Sequence, residues 1–236
     1  PSIQIARMAT FAYTPRAMNT RSLIISGLSV ALLVGCGGPV SMQYRLTFDV
    51  QDPEHVELLT KSTVRVIQRR LDRLGAQLYA QQTIQDPDGA TLELSISDAA
   101  AAEALSQEMT APFDLQIMRQ TTGSGDITVE GFGTFIKTGV TGDDIELVAS
   151  LLQDDGTATV QIKLTDEGQK EMATLFKENV GKDLGLFVRG KLVSALTIRS
   201  AELPNPLSID GVPDLELANT FADDVNVGIH VTVTPL

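Results

Sequence analysis

The first regular segment of the chain alternates between apolar and polar residues. Over 44–50 every second side chain is apolar, which is typical of a β-strand with one buried face. Asp52 and Pro53 follow, and these residue types are favoured at the N-cap and the first position of a helix. Apolar residues then recur every three or four positions as far as Gly75, so we expect a helix that ends at this glycine. Its predicted apolar face consists of Val56, Leu59, Thr63, Val66, Ile67, Leu71 and Leu74.

The segments that follow complete an α+β unit. We expect strands over 77–84 and 90–96, because the sequence DPDG at 86–89 is typical of a tight turn. An alanine-rich helix should begin at Ser97 and end before Pro112. A further strand is indicated by the alternation of Phe113, Leu115 and Ile117. The resulting order βαββαβ predicts a ferredoxin-like base, an antiparallel sheet with two helices on one face.

A glycine-rich stretch over 121–133 predicts a boundary, and the pattern beyond it is again α+β. Thr165 should cap a helix whose apolar face is Met172, Leu175 and Phe176, with Val180 as a candidate for the same face. The other expected elements are a helix over 143–152, a strand over 157–164, a hairpin across Arg189 and Gly190, a short helix over 214–223 and a last strand over 227–233.

Cys36 is the only cysteine and directly follows an apolar run over 23–35. The run is shorter than the roughly 20 residues of a membrane-spanning helix, and Arg21 precedes it, as in a secretory signal peptide. The sequence LVGC at 33–36 resembles a bacterial lipobox, which implies that Cys36 becomes the lipidated first residue of an exported lipoprotein. An uncleaved anchor and a buried free thiol are the alternatives. We expect translation to start at Met18.

The charge of the chain is strongly acidic, with a formal net charge of −12. Arg7, Arg16 and Arg21 precede Cys36 and no acidic residue does, so residues 36–236 carry −15. Such a surface repels nucleic acid phosphates, and we expect no nucleic acid partner. The lone cysteine allows no disulfide within the chain, so packing must stabilise the exported part.

Six short segments occur in the order found in the first periplasmic domain of SecD, the accessory subunit of the preprotein translocase. They are STVRVIQRRLDRLG at 62–75, TGVTGD at 138–143, VQIKLTDEG at 160–168, ENVGK at 178–182, GKLVSA at 190–195, and IDG at 209–211 with ELAN at 216–219. The resemblance implies a ferredoxin-like base with an α+β head inserted before a last strand that returns to the base. The implied domains are 1–35 as an upstream segment and signal peptide, 36–43 as a lipidated tether, 44–120 with 226–236 as the base, and 121–225 as the head.

The resemblance also implies a location close to the export machinery, where the SecD head is thought to contact emerging polypeptide. This chain departs from SecD in two respects: no second apolar run is long enough to span a membrane, and Leu196 stands where the family usually has proline. Proton-driven movement therefore cannot be carried over. We expect a non-enzymatic, lipid-anchored domain on the periplasmic or outer surface that contacts polypeptide or translocon subunits. A structural envelope lipoprotein without a role in translocation is the alternative.

The sequence offers little that indicates catalysis. His55 and His230 are the only histidines and have no partner at metal-ligand spacing, so we expect no catalytic residue, metal or cofactor. The acidic pairs at 143–144, 154–155 and 223–224 are expected at helix starts or in loops. The one candidate contact surface is a stripe of four cations at helical spacing. It is either a docking surface for anionic lipid or an acidic partner, or a solvated face of the helix. This basic stripe consists of Lys61, Arg65, Arg69 and Arg73.

Overall fold

The computed structural model describes residues 38–86 and 88–236. Its helices are α1 (Pro53–Arg73), α2 (Ala99–Thr110), α3 (Asp166–Glu178) and α4 (Leu215–His230). Its strands are β1 (Val40–Phe48), β2 (Leu78–Asp86), β3 (Gly89–Ile96), β4 (Leu115–Thr121), β5 (Ile127–Val129), β6 (Gly133–Thr141), β7 (Ile145–Leu152), β8 (Ala158–Leu164), β9 (Asp183–Val188), β10 (Lys191–Thr197), β11 (Leu207–Val212) and β12 (Val231–Pro235). The predicted signal peptide and Cys36 lie outside the described residues. Within these ranges, no helix combines the length and the apolar character needed to cross a membrane.

Local sequence explains why α1 begins and ends where it does. The carboxylate of Asp52 accepts a hydrogen bond of 2.9 Å from the backbone N–H of His55, which confirms the predicted N-cap. Gly75 adopts a left-handed backbone with φ of 70°, and the N–H of Ala76 donates to the carbonyl of Leu71, so the helix closes in a Schellman motif. The predicted apolar face is confirmed through Leu71 but wrong at the last residue, because Leu74 is 40% exposed.

The base is a four-stranded antiparallel sheet in the order β12-β1-β3-β2. Alternate side chains of β1 and β3 are buried together with the inner faces of α1 and α2, so both helices cover one face of the sheet. The strand order is that of a ferredoxin-like fold, which confirms the predicted fold class. β1 begins at Val40, so residues 40–43, predicted to belong to the tether, are part of the sheet.

The strand predicted around 113–117 does not complete this base. It is β4, which pairs with β6 and β9 in a second sheet of order β10-β9-β4-β6-β5. The fourth place in the base sheet is taken by β12, whose Val231 pairs with Phe48. The last strand therefore returns to the base, as the resemblance implies. The bounds of 120 and 226 between base and head remain a prediction.

The head contains the five-stranded sheet and a three-stranded sheet of order β11-β8-β7. Apolar side chains from both sheets, α3 and α4 form one core, which includes Met172 and Phe176 of α3. The hairpin across Arg189 and Gly190 is confirmed: both residues have positive φ, 49° and 72°, as a tight two-residue turn requires. Thr165 caps α3 through a hydrogen bond to the N–H of Gly168, as predicted.

Several predictions for the second half of the chain are wrong. The segment 143–152, predicted as a helix, is a short 3-10 turn at Gly142–Asp144 followed by strand β7. The last helix does not stop at 223 but continues to His230, so the strand predicted over 227–233 begins only at Val231. Val180, the candidate for the α3 face, follows that helix and is 51% exposed.

Candidate functional site

Helix α4 contacts both parts of the molecule and connects them. Ala218, Ala222 and Val225 point into the core of the head, whereas Val227 lies in the core of the base. The helix then continues without a loop into β12 of the base sheet. Because α4 contacts both parts, its contacts define the candidate site.

On the head side, α4 covers the open edge of β7 with amide side chains. Asn226 is buried and makes two hydrogen bonds to one residue: its Oδ1 accepts from the backbone N–H of Val148 at 2.8 Å, and its Nδ2 donates to the Val148 carbonyl at 2.7 Å. Asn219, two helical turns earlier, accepts a hydrogen bond from the Ser150 hydroxyl. At Val148, the Asn226 side chain takes the place of a neighbouring strand and satisfies backbone groups that would otherwise be free to pair.

On the base side, α4 is held to α1 by a buried carboxylate. Asp223 is 4% exposed and accepts hydrogen bonds from Arg65 at both oxygens, with Nε–Oδ2 of 2.9 Å and Nη2–Oδ1 of 2.6 Å. Arg69, one turn further along α1, donates to Oδ2 at 2.9 Å. We call this arrangement of Arg65, Arg69 and Asp223 the α1–α4 clamp. A planar guanidinium matches a carboxylate in this two-point geometry, which makes such pairs strong and directional.

The surroundings of Asp223 keep its carboxylate ionised. Burial alone raises the pKa of this group, but hydrogen bonds from Arg65, Arg69 and Ser62 outweigh that effect, and the pKa lies below its usual value. The same hydrogen bond raises the pKa of the Arg65 guanidinium. The clamp is therefore a charged pair at neutral pH.

The basic stripe is thus largely occupied within the chain. Arg65 and Arg69 bind Asp223, Arg69 also lies 3.5 Å from Asp224, Arg73 lies 3.4 Å from Glu108 of α2, and Lys61 pairs with Glu57 one turn earlier. Lys61 and Arg73 have the most exposed side chains of the stripe, at 64% and 66%, against 52% for Arg65 and 28% for Arg69. The sequence could not show this pairing, because the acidic partner lies 158 residues after Arg65.

The placement of the acidic pair at 223–224 is also corrected. Both residues lie inside α4 rather than at a helix start or in a loop, because the helix extends seven residues beyond Asp223 to His230. The pairs at 143–144 and 154–155 do occur in the 3-10 turn and in the turn before β8, as predicted.

The two histidines, which the sequence left apart, meet where α1 begins and α4 ends. Their rings contact edge to face with 5.8 Å between centroids. His230 is the last residue of α4, and its Nδ1 lies 2.9 Å from the carboxylate of Asp49. Among the described residues no group of three or more side chains could hold a metal ion, so this contact provides no metal centre there. The sequence pattern could not predict this contact between the two histidines, because 175 positions separate them.

Comparison with known proteins identifies the head. Residues 118–228, from β4 to the end of α4, match the family model described as SecDF, P1 head subdomain. This segment belongs to the SecDF P1 head family. The resemblance to the first periplasmic domain of SecD is therefore confirmed. The matched segment includes Asn219, Asp223 and Asn226, the α4 residues that contact β7 and α1.

Further similarities cover most of this chain. The protein translocase subunit SecDF of Brucella abortus biovar 1 (strain 9-941) is 25% identical over 209 residues, covering 80% of this chain. The chain spans 27% of that relative's length. Two solved SecDF structures have lower identity. The first, a super-membrane-facing form, is 19% identical with a TM-score of 0.48, and the match covers 84% of this chain and 30% of that chain. The second, described as a membrane component that enhances protein export, is 16% identical with a TM-score of 0.46, and the match covers 84% of this chain and 99% of that chain.

Proposed function

We propose that this chain is an exported, lipid-anchored module of the SecD periplasmic type that contacts polypeptide or a membrane partner near the protein-export machinery. The observation that carries the proposal is the match of residues 118–228 to the SecDF P1 head. The proposed role includes no enzymatic step and no proton-driven movement of its own. Its work is binding.

The start of β1 supports an anchor close to the base. Three residues separate Cys36 from Val40, so a lipid on Cys36 would lie within about 14 Å of the sheet. Val40 pairs with Ile96, which also pairs with Leu78, and these residues define one end of the sheet. Leu74 and Tyr79, near that end, are 40% and 60% exposed, and such side chains suit a membrane interface.

The head would then connect to the base away from the lipid. β12 begins at Val231, which pairs with Phe48, and β1 spans about 30 Å from Val40 to Phe48. α2 also runs away from the anchored end, because it starts just after Ile96. This arrangement favours a head that is held away from the bilayer and available to chains leaving it.

An apolar corner of the head is our proposed contact surface for polypeptide. Leu151 and Leu152 at the end of β7 are 44% and 61% exposed, and Leu217 in the first turn of α4 is 40% exposed. The hydrogen bond between Ser150 and Asn219 joins the end of β7 to the start of α4, the two elements that carry these leucines. We call them the leucine corner. The apolar segments of an unfolded chain can bind to such a surface. The acidic remainder of the domain surface offers them no comparable site.

A docking role for the basic stripe is proposed only for its solvated members. Lys61 and Arg73 can approach anionic lipid without breaking the clamp, and each cation near such a surface contributes about 1 kcal/mol. Salt-sensitive sedimentation with anionic vesicles, lost in a variant with Lys61→Gln and Arg73→Gln, is the expected result. Equal sedimentation of the variant and the unaltered protein would mean that the stripe is only a solvated face.

Fractionation and cross-linking test the proposal as a whole. Cys36→Ser should abolish acylation and leave the protein out of the membrane fraction or uncleaved, because the thioether needs the thiol. Cross-linked membranes containing the unaltered protein should yield translocon subunits or exporting polypeptide on affinity capture. A protein that is acylated and membrane-bound but captures neither would instead be a structural envelope lipoprotein.

A further inference from the structure

A cavity of about 190 Å³ lies where the base meets the head. Its walls come from the end of α2, the segment that leads from α2 to β4, the junction of α4 with β12, and the turn between β9 and β10. Apolar side chains contribute part of its wall, among them Met109, Pro112, Phe113, Val227, Val231 and Val233. The cavity is separate from the α1–α4 clamp and from the leucine corner.

Two guanidinium groups line this cavity. The Arg70 side chain is 14% exposed, with Nη1 at 3.0 Å from the sulfur of Met109 and Nε at 3.7 Å from the carboxylate of Glu108. Burial lowers the pKa of Arg70, and the positive charges of Arg189 and Arg73 lower it further, against the opposing effect of Asp224 and Glu108. Glu108 is the one acidic residue that lines the cavity.

Arg189 supplies the second guanidinium from an unusual position. It lies in the turn between β9 and β10 with φ of 49°, a conformation for which glycine or asparagine is usual. Its backbone N–H donates to the carbonyl of Asp114 at 2.7 Å, and its guanidinium lies 6.0 Å from the centre of the Phe113 ring. Within residues 38–86 and 88–236, no carboxylate lies within ion-pair distance of it.

We infer that the cavity binds a carboxylate on a short aliphatic body. Two cations against one carboxylate leave one positive charge, which a single anionic group would neutralise, and guanidinium groups bind carboxylates with matched geometry. The apolar side chains in the wall, such as Phe113 and Val231, can contact the carbon chain. With a liquid water occupying about 30 Å³, the volume holds about six groups of that size, which is the size of butyrate or of a glutamate side chain. A doubly charged phosphate does not match the single positive charge.

This inference does not depend on the proposed role in export. The carboxylate could belong to a free short-chain acid or to an acidic residue of a polypeptide, and the chemistry of the site is the same. In either case the bound group would contact α2, α4 and the β9–β10 turn at once, and so join base and head.

Titration of the full chain with butyrate at neutral pH, followed by NMR chemical shifts, tests the inference. We expect saturable shifts near Phe113 and Val231, no such shifts with the neutral isostere butyramide, and affinity weakened about fivefold or more by Arg189→Gln. Arg199→Gln removes an exposed arginine outside the cavity and should leave the affinity unchanged. Arg189 lies in a surface turn, so its variant should fold, which circular dichroism checks.

Three results would overturn the inference: no saturation by butyrate, equal binding of butyramide, or equal affinity in Arg189→Gln. Tighter binding of inorganic phosphate than of butyrate would overturn it as well. A blocked pentapeptide with one central glutamate, compared with its glutamine counterpart, then separates the sources. Competition with butyrate by the glutamate peptide alone assigns the carboxylate to polypeptide, and the absence of competition assigns it to a free acid.

Discussion

Arg65 and Asp223 are 158 positions apart, yet their side chains form a two-point ion pair that joins the first helix of the base to the last helix of the head. The carboxylate is buried and the guanidinium is half exposed. The pair therefore differs from an exposed surface ion pair, and its loss should weaken the attachment of the head to the base.

Asp223→Asn should lower the free energy of unfolding by about 2 kcal/mol. This is less than the 3–5 kcal/mol seen when fully buried pairs are broken, because solvent screens the half-exposed Arg65. Urea unfolding measures the change, and Asp154→Asn in an exposed turn serves as the matched control. A double-mutant cycle with Arg65→Met should show coupling; additive effects of the two substitutions would mean that the clamp contributes nothing.

The clamp should also make stability depend on pH in the acid range. The pKa of Asp223 lies below its value in the unfolded chain, which is about 4, so the unfolded state binds the proton first. The contribution of the ionised carboxylate is complete above pH about 4 and is lost as pH falls through the lower folded pKa. The melting temperature of Asp223→Asn should therefore fall less steeply with decreasing pH than that of the unaltered protein. Equal slopes in the two proteins would mean that other carboxylates control acid unfolding.

Local signals predicted those parts of the fold that depend on neighbours in sequence. The cap at Asp52, the stop at Gly75 and the two-residue turn at Arg189 all rest on interactions within a few residues, and the structure contains each of them. Long-range pairing was not predictable in the same way. The alternation around Leu115 indicates a strand but not its partners, and only the resemblance to SecD indicated that a later strand returns to the base.

The segment 143–152 shows why a local signal can fail. Its acidic start and its Glu, Leu and Ala residues favour a helix, but tertiary contacts decide the outcome. In strand β7, Val148 pairs with Ile162 on one side; on the other, its N–H donates to Asn226 and its carbonyl accepts from Asn226. The candidate site was missed for the same reason, because the cations of α1 give no sign of a carboxylate that lies far along the chain.

Asn226→Leu should destabilise the head and expose the edge of β7. It removes the partners of the Val148 N–H and C=O, and each buried backbone group left unpaired costs about 1–3 kcal/mol. Asn226→Asp keeps the acceptor and loses the donor, so its cost should be smaller unless the buried charge dominates. Thermal melting gives the stability, and size-exclusion chromatography detects association through the freed edge. A leucine variant that melts and elutes like the unaltered protein would show that the edge needs no cover.

Gly168→Ala should destabilise the head although alanine is the better helix former. An added Cβ would lie 2.4 Å from the backbone carbonyl oxygen of Asp144, which also accepts a hydrogen bond from the N–H of Thr165. The 3-10 turn must shift to relieve this contact, and a loss of about 1–3 kcal/mol is expected. Gly123→Ala, where the nearest heavy atom is 3.8 Å away, is the control. Equal melting temperatures of the two variants would mean that α3 and the turn move apart freely.

Contact between the leucine corner and exporting polypeptide is the central claim. A photo-crosslinking amino acid placed at Leu152, with translocation jammed in living cells, measures it most directly, and the same probe at exposed Gln82 of the base is the control. The account predicts adducts with the jammed polypeptide from position 152 and few or none from position 82. Absence of adducts at position 152 in a folded, membrane-bound protein would contradict it.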